Sequence, residues 1–175
     1  MRRRLELSRA QILSFRRRVG SLDERLPAGA ESWRRAAWAG LQDSAPRAAL
    51  LSLHARVLGV DPATWEHPSL VQLWGPRFSD YLVAAKDLPI FSLGRLPESA
   101  AGQRRANDAA NRLQAFLQGR RMAFGQAGRA MGVPPNSLRY AAATGTVLMR
   151  WDGARQPVDW TVPAPDVEPE WARLE

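Results

Sequence analysis

Four polar side chains in the second half of the chain have the types and spacing to contact nucleic acid. They are Asn136, Ser137, Arg139 and Tyr140. The apolar residues among them are Leu138, Ala141 and Ala142. On a helix, this spacing turns the apolar side chains inward and leaves the polar ones available to face out. Amide, hydroxyl and guanidinium groups can hydrogen-bond to base edges and phosphates. The segment therefore predicts a helix that enters the DNA major groove.

The residues just before this segment predict how the helix is positioned. Ala127, Ala130 and Met131 recur at helical spacing. Gly132 follows them, where the chain must turn, and glycine accepts a positive φ without a Cβ clash. Pro135 suits the first turn of the next helix, because its missing N–H would have no intrahelical partner there. Two helices joined by such a turn form a helix-turn-helix.

Two apolar strands, at 147–151 and 158–162, follow the helix-turn-helix and predict a β-hairpin. A helix-turn-helix with a hairpin is a winged helix, and a winged helix used only for packing is the alternative to DNA binding. Four further arginines, in the predicted loops, turns and strands, are candidates for phosphate contacts. They are Arg47, Arg77, Arg150 and Arg155.

The composition favours an anionic partner. The 175 residues carry a formal net charge of +8, and Lys86 is the only lysine. Arginine binds phosphate and guanine with a planar, bidentate fork, which suits double-stranded DNA. An acidic protein or an anionic membrane surface fits the charge equally well. A GC-rich coding sequence also replaces lysine with arginine, so the composition alone supports DNA only weakly.

Several classes of function are excluded by composition. With no cysteine, the chain has no disulfide, zinc ribbon or catalytic thiol. With His54 and His67 as the only histidines, a histidine-rich metal site cannot be built, so we expect no metal and no cofactor. No apolar run is long enough to span a bilayer. Arginines at 2–4 precede a charged segment instead of an apolar one, so we expect no signal peptide and a cytoplasmic location.

The first part of the chain repeats the order of helices followed by a hairpin. We expect a helix capped by Ser8, a second at 31–41, and a third with Ser44 as its cap and Pro46 in its first turn. Apolar strands at 70–74 and 80–83 then predict a hairpin, and a short helix follows at 87–93. An amphipathic helix at 104–117 opens the second unit.

The predicted fold is mainly α with small β-hairpins, arranged as two tandem winged-helix domains. Their boundaries are 1–97 and 98–163. A Pro-rich, acidic tail at 164–175 resembles the start of a further region, so we also expect bare apolar surface and self-association.

Three segments carry a resemblance to a known family. Residues 40–57 read GLQDSAPRAALLSLHARV, and residues 83–89 and 138–145 read VAAKDLP and LRYAAATG. They resemble the AlkZ-like winged-helix DNA glycosylases of bacteria. The resemblance extends over essentially the whole chain. Family members are longer than this chain, so the chain resembles their N-terminal half.

The resemblance implies a catalytic site before the third helix. The family motif is Gln-x-Gln or Gln-x-Asp, and it orients a water at the sugar carbon of an alkylated purine. Gln42 matches the first motif residue and Ser44 stands at the second. Asp43 lies between them and is the alternative base. Arg77-Phe-Ser-Asp-Tyr stands where the family has Arg-Gly-Thr-Leu-His. A helix-capping turn is the alternative reading of residues 42–44.

Three functions follow from these observations. The first is a winged-helix DNA-binding protein related to alkylpurine DNA glycosylases, with an altered catalytic motif. The second is an active glycosylase that excises alkylated bases in DNA repair. The third is an interaction module that does not bind DNA, or a fragment of a longer protein.

Overall fold

A computed structural model describes residues 5–45, 47–151 and 157–167 of the chain, without the side chains of Trp65 and Phe78. Roughly half of the residues are helical, and the strands form two small antiparallel sheets of three strands each. The mainly helical prediction with small hairpins is therefore confirmed at this level.

The described elements follow one another in this order. The α-helices are α1 (Arg9–Val19), α2 (Ala30–Ala36), α3 (Ala48–His54), α4 (Leu88–Ser92), α5 (Ala100–Leu117), α6 (Phe124–Ala130) and α7 (Pro135–Leu138). The strands are β1 (Leu41–Gln42), β2 (Leu70–Trp74), β3 (Asp80–Ala84), β4 (Met122–Ala123), β5 (Val147–Trp151) and β6 (Pro157–Thr161). Short 3₁₀ helices lie at Pro62–Glu66, Pro76–Phe78, Ala85–Asp87, Leu93–Arg95 and Arg139–Thr144.

The first sheet contains the predicted hairpin and one strand that the sequence analysis missed. β2 pairs with β3 from Leu70 opposite Ala84 to Trp74 opposite Asp80. β1 pairs with the other edge of β3, with Leu41 opposite Leu82. The predicted helix at 31–41 was therefore too long. It ends at Ala36, and Gly40 takes a φ of +73°, a left-handed conformation that ends helices and favours glycine.

The third predicted helix is shorter than expected. α3 ends at His54 instead of near Gly59, although Leu53 and Val57 are buried as expected. Leu50 is only half-buried. The residue before α3 is Arg47, in the left-handed conformation, and Pro46 lies outside the described residues.

α1 stands apart from the core. Ser8 and Gln11 cap it reciprocally, with hydrogen bonds of 2.8 and 3.2 Å, so its start is fixed locally. None of its residues is buried, and Phe15 is 68% exposed. The apolar positions predicted for this helix thus form an exposed stripe.

The second half contains two short helices, α6 and α7, joined by a turn at the predicted place. Gly132 has a φ of +65° between α6 and α7, as its place in the sequence suggested. Leu138, Ala141 and Ala142 are buried. The second helix consists of two parts. Its first four residues form α7, and Arg139–Thr144 continue as a 3₁₀ helix.

The second hairpin is also confirmed, since β5 pairs with β6 from Val147 opposite Thr161 to Trp151 opposite Pro157. Residues 152–156, including Arg155, lie outside the described residues, as do residues 168–175 of the predicted tail.

The two halves have the same order of elements. The first runs α2, β1, α3, a 3₁₀ helix, β2 and β3, and its strands lie in the order β1-β3-β2. The second runs α5, β4, α6, α7, β5 and β6, and its strands lie in the order β4-β6-β5. The 3₁₀ helix at Pro62–Glu66 takes the place of a third helix in the first half, so α1 lies outside the repeated unit.

The halves share apolar packing. Leu73, Tyr81 and Val83 of the first sheet form a buried cluster with Leu148 of the second. Trp74 belongs to the core of the second half, with its ring 5.0 Å from that of Phe124. The packing therefore joins the end of β2 directly to α6 and α7.

Candidate functional site

The segment Gln42–Ser44 leaves β1 with alternating side chains. Gln42 and Ser44 are exposed, whereas Asp43 is completely buried. Successive side chains of an extended segment point to opposite faces, so the first and third residues share the outer face. The structure therefore brings together the two motif positions and separates Asp43 from them.

A third side chain joins Gln42 and Ser44. The Nε2 of Gln42 donates to Ser44 Oγ at 2.7 Å and to Ser79 Oγ at 3.1 Å. The two serine hydroxyls are 2.6 Å apart. We call Gln42, Ser44 and Ser79 the amide–serine cluster. Because Nε2 is held by two hydroxyls, the amide has a fixed orientation and directs its Oε1 elsewhere.

Ser79 was not among the predicted site residues. It lies between the 3₁₀ turn at Pro76–Phe78 and β3, next to the residues that pair with β1. Its contact with Gln42 depends on that pairing across 37 positions of sequence. The local sequence carries no signal for it beyond the stretch 77–81, where the chain departs from the family pattern.

Asp43 caps α3, a role that the sequence analysis assigned to Ser44. Its Oδ1 accepts a hydrogen bond from the Ala49 N–H at 2.9 Å, and its own N–H donates to the Asp80 carbonyl at 2.7 Å. Burial raises the pKa of Asp43 to about 6, although the amides at the start of α3 oppose this. Asp43 follows β1 directly, and the alternation of the extended chain points its side chain inward, toward α3.

Trp151 of the second half holds the Asp43 segment in place. Its indole Nε1 donates to the Asp43 carbonyl at 2.7 Å, and its backbone N–H donates to Gln72 Oε1 at 3.3 Å. The backbone that carries the amide–serine cluster is therefore fixed from both halves of the molecule.

Three buried aspartates lie where the two sheets meet. They are Asp43, Asp80 and Asp159. Burial raises the pKa of Asp80 to about 7, with Arg139 opposing the rise and Asp43 adding to it. Burial likewise raises the pKa of Asp159 to about 7, although its Oδ1 accepts a bond of 3.3 Å from Trp74 Nε1. The second oxygen of Asp159 has no hydrogen-bond partner among the described residues.

Arg139 faces these groups instead of the solvent, which corrects the predicted outward orientation. Its guanidinium carbon lies 4.2 Å from the centroid of the Trp74 ring and 5.3 Å from that of Phe124. It also acts electrostatically on Asp80 and Asp159. The reason is that Trp74, at the end of β2, packs into the core of the second half and brings its ring under Arg139.

The other predicted contacts are dispersed over the surface. Asn136 and Tyr140 are exposed, and Ser137 is half-buried with its hydroxyl donating to the Pro134 carbonyl at 2.6 Å. Arg150 is half-buried and pairs with Glu66 at 3.3 Å.

Arg47 and Arg77 flank the amide–serine cluster in the sequence. Both are exposed, and both have a positive φ, of 66° and 58°. Such a conformation is uncommon for residues other than glycine, and here it places two guanidinium groups on the loops that carry Ser44 and Ser79.

Among the described residues, no three histidine, aspartate or glutamate side chains are grouped so that they could hold a metal ion. None of the described helices combines the length and the apolar character needed to cross a membrane.

Comparisons with known proteins place this geometry on a known fold. No family model matches the chain, and no curated protein matches it. Among solved structures, the chain is similar to the Streptomyces sahachiroi DNA glycosylase AlkZ, with a TM-score of 0.67 and 15% sequence identity. The similarity covers 96% of this chain and 55% of that one, so this chain spans about half of its length. The AlkZ-like fold inferred from the sequence is thereby supported.

Proposed function

We propose that the chain is a double-stranded DNA-binding protein made of two tandem winged helices and related to the alkylpurine DNA glycosylases. The observation that carries the proposal is the similarity of almost the whole chain to a DNA glycosylase. The repeated order of elements supports it, because helix, strand, two helices and two strands is the order of a winged helix, and both halves follow it.

The proposed DNA surface combines loops of the first half with the helix-turn-helix of the second. Arg47 and Arg77 contact phosphates beside the amide–serine cluster, and Arg150 does so on β5. Arg155, which lies outside the described residues, is a further candidate for a phosphate contact. Asn136, Ser137 and Tyr140 are the base-reading candidates. Arg139 acts indirectly in this proposal, because its position over Trp74 shapes the helix-turn-helix.

Binding of a short duplex at increasing salt tests the proposal. Each lost phosphate contact lowers the slope of log K against log salt by about 0.9. We therefore expect Arg47→Gln/Arg77→Gln to weaken binding and lower the slope by about 1.8. The matched control is Arg9→Gln/Arg16→Gln on α1, which removes the same charge and leaves the slope nearly unchanged. Absence of duplex binding at low salt would refute the proposal.

Excision of alkylated bases is the second candidate function. The amide–serine cluster favours it, since an exposed amide held by two hydroxyls can present its Oε1 to a water and to developing positive charge on the sugar. Two features oppose it. Ser44 is shorter than the motif glutamine, and Asp43 is buried and occupied as a helix cap.

We expect excision to be weak or absent while duplex binding is retained. The test is release of the base from a duplex that carries one N7- or N3-alkylpurine, with Gln42→Ala as the matched variant. Robust release that disappears in Gln42→Ala would instead assign the chain as a glycosylase.

A further inference from the structure

A pocket of about 560 Å³ lies between α5 and the segment that contains α7, away from the amide–serine cluster. Its volume is in the range of sites that bind small organic groups. The cationic side chains that line it are Arg104, Arg105 and Arg112 of α5. All three are exposed.

The arginines have a spacing that suits consecutive phosphates. Arg105 and Arg112 lie about two turns apart on one face of α5, which places their Cα atoms about 10 Å apart along the axis. Each can bind a phosphate with two parallel hydrogen bonds. Asp108 lies between them, is exposed, and forms no ion pair within 4.0 Å with the described residues. The pocket thus carries a net positive charge that is not neutralised by its one carboxylate.

The floor of the pocket is apolar. It is formed by Ala109, Met131, Val133 and Leu138. Tyr140 stands at the edge with a 42% exposed side chain. Charged groups beside an aromatic ring and an apolar floor are the features with which proteins bind unpaired nucleotides, because the base stacks on the ring while the backbone follows the charges.

We propose that this pocket binds an unpaired nucleotide of a single strand, with the base on the floor beside Tyr140 and the adjoining phosphates on Arg105 and Arg112. A paired base does not reach such a floor, because stacking inside the duplex covers both of its faces. The carboxylates of an acidic peptide would pair with the arginines, but such a peptide has no planar base to cover the apolar floor. The site shares Tyr140 with the proposed duplex surface but adds the arginines of α5, which that surface does not include, so the two proposals can fail separately.

Binding of a fluorescent oligothymidylate at low salt tests the proposal. Arg105→Gln/Arg112→Gln removes two phosphate contacts and lowers the salt slope by about 1.4. The control Arg9→Gln/Arg16→Gln removes equal charge from α1 and leaves affinity within about twofold. Tyr140→Ala weakens binding about fivefold or more, the loss expected for one stacked base. Asp108→Asn strengthens binding, because a carboxylate no longer repels the phosphates.

Competition separates the possible occupants of the pocket. The proposal holds if an unlabelled single strand displaces the probe while thymidine monophosphate does so only at much higher concentration. If the monophosphate competes as well as the strand, the site is for a free nucleotide and the single-strand proposal is wrong. The proposal would be overturned if polyglutamate displaced the oligothymidylate as well as the single strand does. It would also be overturned if the α1 control variant lost as much affinity as Arg105→Gln/Arg112→Gln. Either result would show that the probe binds through nonspecific charge attraction.

Duplex binding is measured in parallel with the same variants. If duplex binding is absent and single-strand binding follows the arginines, only the duplex proposal fails. If duplex binding is intact and the oligothymidylate does not bind, only the pocket proposal fails. The same conclusion follows if the affinities for the duplex and for the oligothymidylate depend equally on Arg105 and Arg112.

Discussion

The first strands of the two halves, β1 and β4, occupy equivalent places in their sheets and present opposite chemistry. β1 ends in Gln42 and passes into a polar loop whose outer side chains are exposed. β4 passes directly into α6, whose first residue, Phe124, is buried against Trp74. The same edge position is thus a polar surface in the first half and part of the core in the second.

This difference indicates how a repeated fold can hold one site. The loop after β1 contains a buried cap, Asp43, so the following helix begins only after a separate polar turn has formed. The extended segment between β1 and that turn presents Gln42 and Ser44 on its outer face. In the second half no such turn separates strand from helix, and polar groups are found instead on the outer side of α5 and in the helix-turn-helix. Predictions of function must therefore be made separately for each half.

The largest expected effect concerns Trp74, which lies in the first half and packs in the core of the second. Trp74→Ala removes a large buried ring, and we expect the free energy of unfolding to fall by about 3–5 kcal/mol in a single transition. Trp38→Ala is the control, because its side chain is 62% exposed and its loss should cost less than about 0.5 kcal/mol. Chemical denaturation measures both. Separate unfolding of the two halves would contradict the shared core.

The buried aspartates at the junction predict a pH dependence of stability. Burial raises the pKa values of Asp80 and Asp159 to about 7, above the value near 3.9 in an unfolded chain. The native state therefore binds more protons between these values, and stability falls as pH rises through this range. We expect each of the two aspartates to contribute a loss of about 2–3 kcal/mol between about pH 5 and about pH 8.

Denaturation at several pH values measures this dependence. Asp159→Asn is the matched variant, since its amide oxygen can still accept from Trp74 while it no longer titrates. The free energy of unfolding should depend less steeply on pH in this variant than in the wild type. A stability that rises with pH would show that Arg139 holds the aspartates ionised and would contradict the prediction.

The next effect separates two neighbouring residues of the β1 loop. Asp43→Ala leaves the Ala49 N–H at the start of α3 without its acceptor, which should cost about 1–2 kcal/mol. Ser44→Ala removes an exposed hydroxyl and should change stability by less than about 0.5 kcal/mol. Thermal unfolding of the two variants checks the difference. Equal effects would mean that Asp43 is not the cap.

The sequence was sufficient for features that depend on local patterns. Gly132, the apolar spacing of α5 and the two hairpins follow from glycine conformation and hydrophobic periodicity. The two-residue strands β1 and β4 were missed, because each exists only through pairing with a distant strand. Arg139 was placed on the wrong face for a related reason: its contact with Trp74 and its interaction with Asp80 involve residues of the other half.

The amide–serine cluster was only partly predicted, because one of its members depends on the pairing of distant strands. Gln42 and Ser44 follow from the family resemblance, whereas Ser79 enters through the register of β1 against β3. The inward direction of Asp43 also requires that register, since nothing in residues 42–44 alone indicates a strand.

The smallest expected effect is that of Gln42→Ala on folding and DNA affinity. Gln42 is exposed, and its two hydrogen bonds are to the hydroxyls of exposed Ser44 and half-buried Ser79, so the free energy of unfolding should change by less than about 0.5 kcal/mol. Its amide carries no charge, so the salt dependence of duplex binding should also be unchanged. Any difference from the wild type is then confined to base release. Loss of duplex affinity in Gln42→Ala, with Ser79→Ala unaffected, would mean that the amide contacts DNA directly. The polar residues at the end of β1 would then bind DNA, and β1 would differ from β4 in DNA binding and not in catalysis.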